Sequence, residues 1–220
     1  AYEIRNCDWS SDVCSSDLYG NVRLLRHGTM VRAGDTAYDI DTNLMRCTYT
    51  QAFASCLHVD PLVTSVHTRP QAIALMMSKA LMGGVPTFSM NLPHFSQEQR
   101  AVIAAWLKIY NEHRELFKAR RQPVGERMEL WQGGGPEHWW LGACSSASEL
   151  RLPLGKSVLL LNGTGRSEFH VLDGLPRAAK VSTFDYRIHL IRETTLAAGC
   201  RTLDVADRKS TRLNSSHSSV

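Results

Sequence analysis

The chain has 220 residues, of which 43% are hydrophobic and 21% charged, and its formal net charge is +4. These fractions are ordinary for a globular protein with an apolar core, and so small a positive excess does not predict binding to nucleic acid or to an anionic membrane. No apolar run approaches the roughly 20 residues that span a bilayer, so we expect neither nucleic acid nor a membrane as a partner.

The two ends of the chain differ in composition from the rest. Residues 1–18 contain the run RNCDWSSDVCSSDL and residues 208–220 read RKSTRLNSSHSSV, both rich in Ser and without helical or strand periodicity. Both segments resemble peptides translated from sequencing-adapter DNA. We therefore expect both ends to be disordered artefacts and residues 19–207 to be the natural protein, with genuine disordered tails as the second interpretation.

The cysteines do not predict a metal site. Two of the six lie in the first end segment, and the other four show no CxxC spacing: Cys47, Cys56, Cys144 and Cys200. The sequence therefore predicts neither a zinc site nor a disulfide framework, and no cofactor is expected.

A cluster of carboxylates is the first chemical feature along the chain. Asp35, Asp39 and Asp41 lie within residues 31–41, with Arg32 just upstream. Glycoside hydrolysis needs one carboxylic acid to protonate the leaving oxygen and a second carboxylate as nucleophile or base. A solvated turn is the simpler explanation of an Asp-rich loop, and Asp39 and Asp41 also suit capping of the following helix.

The next elements predict parallel α/β architecture. A helix is expected over residues 70–81, with Pro70 at its first position and a Gly pair after it, then a buried strand over residues 85–90. A long helix follows over residues 96–117, where Ser96 and Gln99 have the spacing of a capping box. Helix, strand and helix at short spacing are typical of a parallel sheet.

From about residue 123 the pattern changes to short β-rich runs separated by turn residues. Strands are expected over residues 156–161, 167–172, 181–186 and 201–205, which predicts an antiparallel β-sandwich. Three tryptophans in this part suit either stacking on a sugar or filling of the domain junction: Trp131, Trp139 and Trp140. Residues 133–135, Gly-Gly-Gly, lack the Lys-Ser/Thr of a phosphate loop.

In this order, the motifs resemble those of melibiase-type α-galactosidases. Residues 31–41 resemble a strand end carrying a catalytic Asp, and residues 57–62, LHVDPL, resemble the next strand end. The phrase YNEHREL at residues 110–116 resembles the closing barrel helix, and SVLLLNGT at residues 157–164 a strand of the C-terminal sandwich. The resemblance covers essentially all of residues 19–207.

The resemblance implies an α/β fold in two domains. Residues 19–122 would be the C-terminal part of a catalytic (β/α)8 TIM barrel, and residues 123–207 an antiparallel β-sandwich. Asp35 would be the general acid/base, and four residues would bind the α-galactoside substrate: Arg32, Asp39, His58 and Asp60. Such residues would lie at the carboxyl face of the barrel.

The chain also departs from the family. The family's nucleophile is an Asp in a Lys-x-Asp strand end, and no residue upstream of Asp35 in the natural segment supplies it, so we expect the chain to be inactive alone. The spacing from Asp35 to Asp39 is longer than is common in the family, which leaves the role of Asp39 open. Two alternatives remain: another α-glycosidase of the same plan, or a non-catalytic carbohydrate-binding or structural β-sandwich.

We predict that deleting residues 1–18 and 208–220 leaves the melting temperature of the remainder unchanged, because neither end has the apolar periodicity needed to pack. Differential scanning calorimetry of the shortened and complete chains measures this. A loss of cooperativity on deletion would show that the ends are part of the fold.

Overall fold

The computed structural model describes the chain as a series of segments that are continuous from residue 64 to 118, apart from residue 89, and from 168 to 204. It also describes residues 42, 45 and 47 and the strands at 31–35, 57–60, 122–124, 130–132, 139–144, 149–150 and 157–162. The predictions for residues 1–18 and 208–220 lie outside the described residues.

A parallel sheet forms the first part of the structure. Strands β1 (Val31–Asp35), β2 (Leu57–Asp60) and β3 (Val85–Pro86) pair in that order, and both pairings are parallel. Helix α1 (Pro70–Gly83) connects β2 to β3. Three parallel strands in chain order occur both in (β/α)8 barrels and in open α/β sheets, so the barrel stays a prediction.

Helix α1 begins at Pro70, as predicted, and ends at the predicted glycine pair. Pro70 occupies the first turn, where its missing N–H costs nothing, and Gly84 follows the helix at a φ of 135°. The strand predicted over residues 85–90 is shorter, because it ends at Pro86, which has no N–H for a longer ladder. A 3-10 turn at Leu92–His94 then leads to the next helix.

Helix α2 (Gln97–Glu112) confirms the predicted capping box. The Ser96 Oγ accepts from the Gln99 N–H at 3.2 Å, and the Gln99 Oε1 accepts from the Ser96 N–H at 2.7 Å. The single helix expected to residue 117 is instead broken at His113, and a short helix α3 (Arg114–Lys118) follows. The break turns Leu116 and Phe117 inward, where their exposed fractions are 6% and 2%.

In the part of the chain that the structure describes, nine strands follow the helices. They are β4 (Gln122–Val124), β5 (Leu130–Gln132), β6 (Trp139–Cys144), β7 (Glu149–Leu150), β8 (Ser157–Asn162), β9 (Glu168–Val171), β10 (Ala179–Phe184), β11 (Leu190–Leu196) and β12 (Thr202–Asp204). Four of them, β8, β9, β10 and β12, confirm predicted strands to within a few residues.

These strands form three sheets, ordered β4-β5-β6-β8, β12-β9-β7 and β10-β11. From β6 to β9 the chain alternates between the first two sheets. Between β6 and β8 the chain forms β7 of the second sheet, and between β7 and β9 it forms β8 of the first. Strands β6 and β8 pair in parallel, and so do β7 and β9. This differs from the purely antiparallel pairing expected from the sequence, and the sandwich itself stays a prediction.

The main apolar core lies between the helices and extends into the strand-rich part. Strand β8 contributes Leu161, which is 4% exposed, to the same cluster. The members from α1, α2 and α3 include Ile73, Met77, Leu81, Met82, Val102, Ile103, Trp106, Tyr110, Leu116 and Phe117. The core therefore crosses the predicted domain boundary at residue 122.

A second, smaller core joins β9 and β12. Phe169, Val171 and Leu203 are buried, and β9 alternates exposed and buried residues as a strand with one solvated face does. The Asp173-Gly174 turn follows β9, and Gly174 has a φ of 66°. A Cβ there would lie 3.1 Å from the Gly199 carbonyl oxygen, so glycine is required by both conformation and space.

The loop between β10 and β11, residues 185–189, packs on helix α2 and is called the docking loop below. The Asp185 Oδ1 accepts from the N–H groups of Arg187 and His189 at 2.8 Å each. The Trp106 Nε1–H donates to the Tyr186 carbonyl at 3.0 Å, and Arg187 forms an ion pair with Glu98.

Ile188 in the docking loop has a φ of 63°, an unfavourable conformation for a β-branched residue. Its side chain packs against the main core, together with Tyr186. Contacts with α2 therefore hold the loop in a conformation that its own sequence disfavours.

We predict that Trp106→Phe lowers the free energy of unfolding by about 1–3 kcal/mol, because it leaves the Tyr186 carbonyl without its donor. Urea denaturation measures the loss. Lys108→Ala is the control on the same helix, since Lys108 is 76% exposed and its ion pair with Glu112 is a surface pair. Equal effects of the two variants would contradict a structural role for the Trp106 hydrogen bond.

Candidate functional site

Two parallel strands bring four predicted site residues into adjacent positions. Arg32 pairs with His58 across β1 and β2, and Asp35 pairs with Asp60. Asp35 and Asp60 are also the last residues of their strands. Both therefore lie at the carboxyl ends of neighbouring parallel strands, the edge where α/β folds place their sites. We call this edge the carboxyl edge.

A β-bulge sets this register. Between the two pairs, β1 advances three residues, from Arg32 to Asp35, whereas β2 advances two, from His58 to Asp60. Without the extra residue, the partner of Asp60 would be Gly34. Bulges are frequent beside active sites, where they change the placement of a residue. Here the bulge brings the two strand-terminal carboxylate residues into register.

The remaining predicted residues are not placed at this edge. Asp39, assigned to substrate binding, and Asp41 lie outside the described residues. Trp131 is in β5, and Trp139 and Trp140 are in β6, so all three belong to the four-stranded sheet rather than to the parallel sheet. The structure therefore does not group the tryptophans with Asp35 on one sheet.

Two connections leave the carboxyl edge in the described region. The first rim loop, residues 64–69, precedes α1, and the second rim loop, residues 87–96 apart from residue 89, precedes α2. The Thr64 hydroxyl donates to the Met90 sulfur at 3.2 Å, so the two loops are in contact.

The first turn of α2 holds both rim loops. The Gln99 Nε2 donates to the Val66 and Thr68 carbonyls at 2.9 and 2.8 Å, which fixes the first loop. The Arg100 Nη1 donates to the Pro93 and Phe95 carbonyls at 3.2 and 2.8 Å, which fixes the second. The capping motif identified Gln99 as a helix residue, but the sequence did not reveal these loop contacts.

The described segments contain no cluster of metal-ligating side chains and no membrane-spanning helix. In those segments, no group of three or more His, Cys, Asp and Glu residues has a metal-binding arrangement. None of the helices described there is long and apolar enough to cross a membrane. Within the described residues, neither Cys47 nor Cys200 forms a disulfide bond, and Cys47 is buried.

Two side chains of the β10–β11 hairpin, Glu193 and Arg187, have shifted pKa values. The Lys180 ammonium, 3.1 Å from the Glu193 carboxylate, lowers the pKa of Glu193, and a hydrogen bond from the Ser182 hydroxyl adds to this. The Tyr186 hydroxyl and the Glu98 carboxylate raise the pKa of Arg187. The charged groups among these are exposed to solvent, so they act on the hairpin and the docking loop as screened surface interactions.

No protein-family model, curated protein or solved structure matches this chain.

We predict that Lys180→Met raises the pKa of Glu193 towards its ordinary value, which a carboxyl-carbon NMR titration measures. Because the folded-state pKa of Glu193 is lowered, the stabilisation is present above its unfolded pKa and is lost as pH falls through the folded pKa. The stability difference between the variant and the natural chain should therefore disappear at low pH. Ser182→Ala is the matched control, and a larger shift in it than in Lys180→Met would contradict the assignment.

Proposed function

We propose that this chain is the C-terminal part of a retaining glycoside hydrolase that acts on terminal α-galactosides, with Asp35 as the general acid/base. One observation supports the proposal most: the bulged register that pairs Asp35 with Asp60 at the carboxyl ends of parallel strands. A carboxyl group at that edge has the location that barrel hydrolases use for catalysis. The sequence motifs supply the substrate class, and the barrel and sandwich architecture are part of the proposal.

The proposed reaction proceeds in two steps. In the first, a carboxylate nucleophile from the upstream part of the enzyme attacks the anomeric carbon, and the Asp35 carboxylic acid protonates the departing oxygen. In the second, the Asp35 carboxylate accepts a proton from water as the water oxygen attacks the anomeric carbon, and the bond from that carbon to the carboxylate nucleophile breaks. The sugar leaves with retained configuration, and the chemistry requires no cofactor.

The neighbours of Asp35 have distinct proposed roles. Asp60 and His58 form hydrogen bonds with sugar hydroxyls. The planar guanidinium of Arg32 adds several N–H donors in a fixed arrangement. Asp39 is the further substrate-binding residue that the family resemblance assigns.

The nucleophile is proposed to lie in a part of the enzyme upstream of these 220 residues, so the chain should not hydrolyse α-galactosides by itself. Loops that select the sugar would lie largely in the same upstream part. Another α-glycosidase of the same plan therefore stays an alternative within this class.

A non-catalytic carbohydrate-binding module is the second candidate. Its support is the placement of Trp131 on β5 and of Trp139 and Trp140 on β6, since these strands pair and aromatic rings bind sugar faces. The upstream sequence discriminates between the two candidates. A Lys-x-Asp strand end there supports the enzyme, and its absence supports the binding module.

We predict that Asp35→Ala in the full-length enzyme lowers kcat/KM about 10²–10⁴-fold for methyl α-galactoside, whose leaving group needs protonation. For 2,4-dinitrophenyl α-galactoside the loss should be far smaller, because that leaving group departs without a proton. Steady-state kinetics on both substrates measures the difference.

Asp39→Ala is the matched control and should affect the two substrates equally, as expected of a binding residue. Equal losses for both leaving groups in Asp35→Ala, or no loss in either, would contradict the role of Asp35. An unselective effect in Asp35→Ala together with a selective one in Asp39→Ala would move the acid to Asp39.

A further inference from the structure

Gln99 is a buried polar side chain with two sets of contacts. It is 4% exposed, and its Oε1 accepts from the Ser96 N–H in the capping box. Its Nε2 donates to two carbonyls of the first rim loop, those of Val66 and Thr68. Capping alone uses the oxygen, so the two amide donors serve a separate purpose.

The first rim loop has its own internal hydrogen bonds. The Ser65 N–H donates to the Thr68 Oγ1 at 2.8 Å, and the Thr68 N–H donates to the Ser65 carbonyl at 3.0 Å. This closed turn leaves Ser65, Val66 and His67 exposed to solvent. Gln99 attaches the turn to α2, and the Thr64–Met90 contact attaches it to the second rim loop.

Chain order places this turn at the carboxyl edge. It lies between the end of β2, at Asp60, and the start of α1, and such strand-to-helix connections in a parallel sheet lie at the carboxyl ends of the strands. The turn therefore belongs to the same edge as Asp35 and Asp60. A displacement of the turn would alter the shape of a site built there, although Gln99 itself is not exposed.

We propose that Gln99 is a positioning residue of the galactoside site, holding residues 64–69 as a rigid wall against which the sugar binds. This inference rests on the proposed function. Hydrogen bonds that hold the loop in place before the substrate arrives reduce the entropy that is lost when the substrate binds. Gln99 would then affect substrate affinity rather than the chemical step.

Two substitutions separate the two sets of contacts. Gln99→Glu keeps an oxygen for the Ser96 N–H, since Glu is equally suited to a capping box, but places a carboxylate against two carbonyl oxygens. Ser96→Ala removes the other half of the capping box and leaves the Gln99 amide free to bind the loop. Gln99→Leu is a second loop variant without an added charge.

The experiment measures kcat and KM for 4-nitrophenyl α-galactoside in the full-length enzyme, with hydrogen exchange of residues 64–69 as a second readout. Both Gln99 variants should raise KM at least about fivefold with kcat within about twofold, the pattern of lost uniform binding. Exchange in the first rim loop should accelerate in both. Ser96→Ala should lower the melting temperature and leave KM unchanged.

The outcomes separate this inference from the function it rests on. If the natural enzyme hydrolyses the substrate but Gln99→Glu and Gln99→Leu keep its KM, or if Ser96→Ala raises KM equally, the positioning role is wrong and the function stands. A fall in kcat alone would also overturn it. If the natural full-length enzyme neither hydrolyses the substrate nor binds galactose, the proposed function fails and the inference fails with it.

Discussion

The docking loop packs on helix α2, and the connection between the helices and the β10–β11 hairpin depends on this packing. Trp106 contributes an apolar face to the main core, and its N–H donates to the Tyr186 carbonyl. One side chain therefore stabilises both the main core and the docking loop. Burial of Ile188 offsets its unfavourable backbone conformation, and the Asp185 carboxylate closes the turn. Because the main core continues through Leu161 of β8, the helices share this apolar interior with part of the strand-rich region, beside the smaller core of β9 and β12.

The sequence predicts elements well where local chemistry decides the structure. The capping box at Ser96, Pro70 at a helix start and the strand at Ser157–Asn162 all depend on neighbouring residues, and all are found. The break at His113 and strand β11 were missed for the opposite reason. Neither Gly nor Pro marks the break, which serves tertiary burial of Phe117, and β11 lacks alternation, with Leu190 and Ile191 both exposed.

In the candidate site, too, some features depend on neighbouring residues and others depend on contacts between distant residues. The family resemblance implied Asp35 and Asp60 at successive strand ends, but the bulge that brings them into register depends on strand pairing and has no local signal. Gln99 was recognisable as a capping residue because its partner is three positions away. Its contacts with Val66 and Thr68 join residues more than 30 positions apart, which periodicity and motif spacing do not detect.

The alternation of the chain between two sheets from β6 to β9 has a consequence for folding. Strands β4, β5 and β6 pair with their neighbours along the chain, but β8 joins β6 only after β7 has been passed, and β9 joins β7 only after β8. Pairing β6 with β8 closes a loop that contains β7, and pairing β7 with β9 closes a loop that contains β8, so each closure loses chain entropy before the contacts it permits are made. Assembly of this part should therefore be slower than that of locally connected hairpins, and partly synthesised chains would present an unpaired edge of β9 until β12 has emerged.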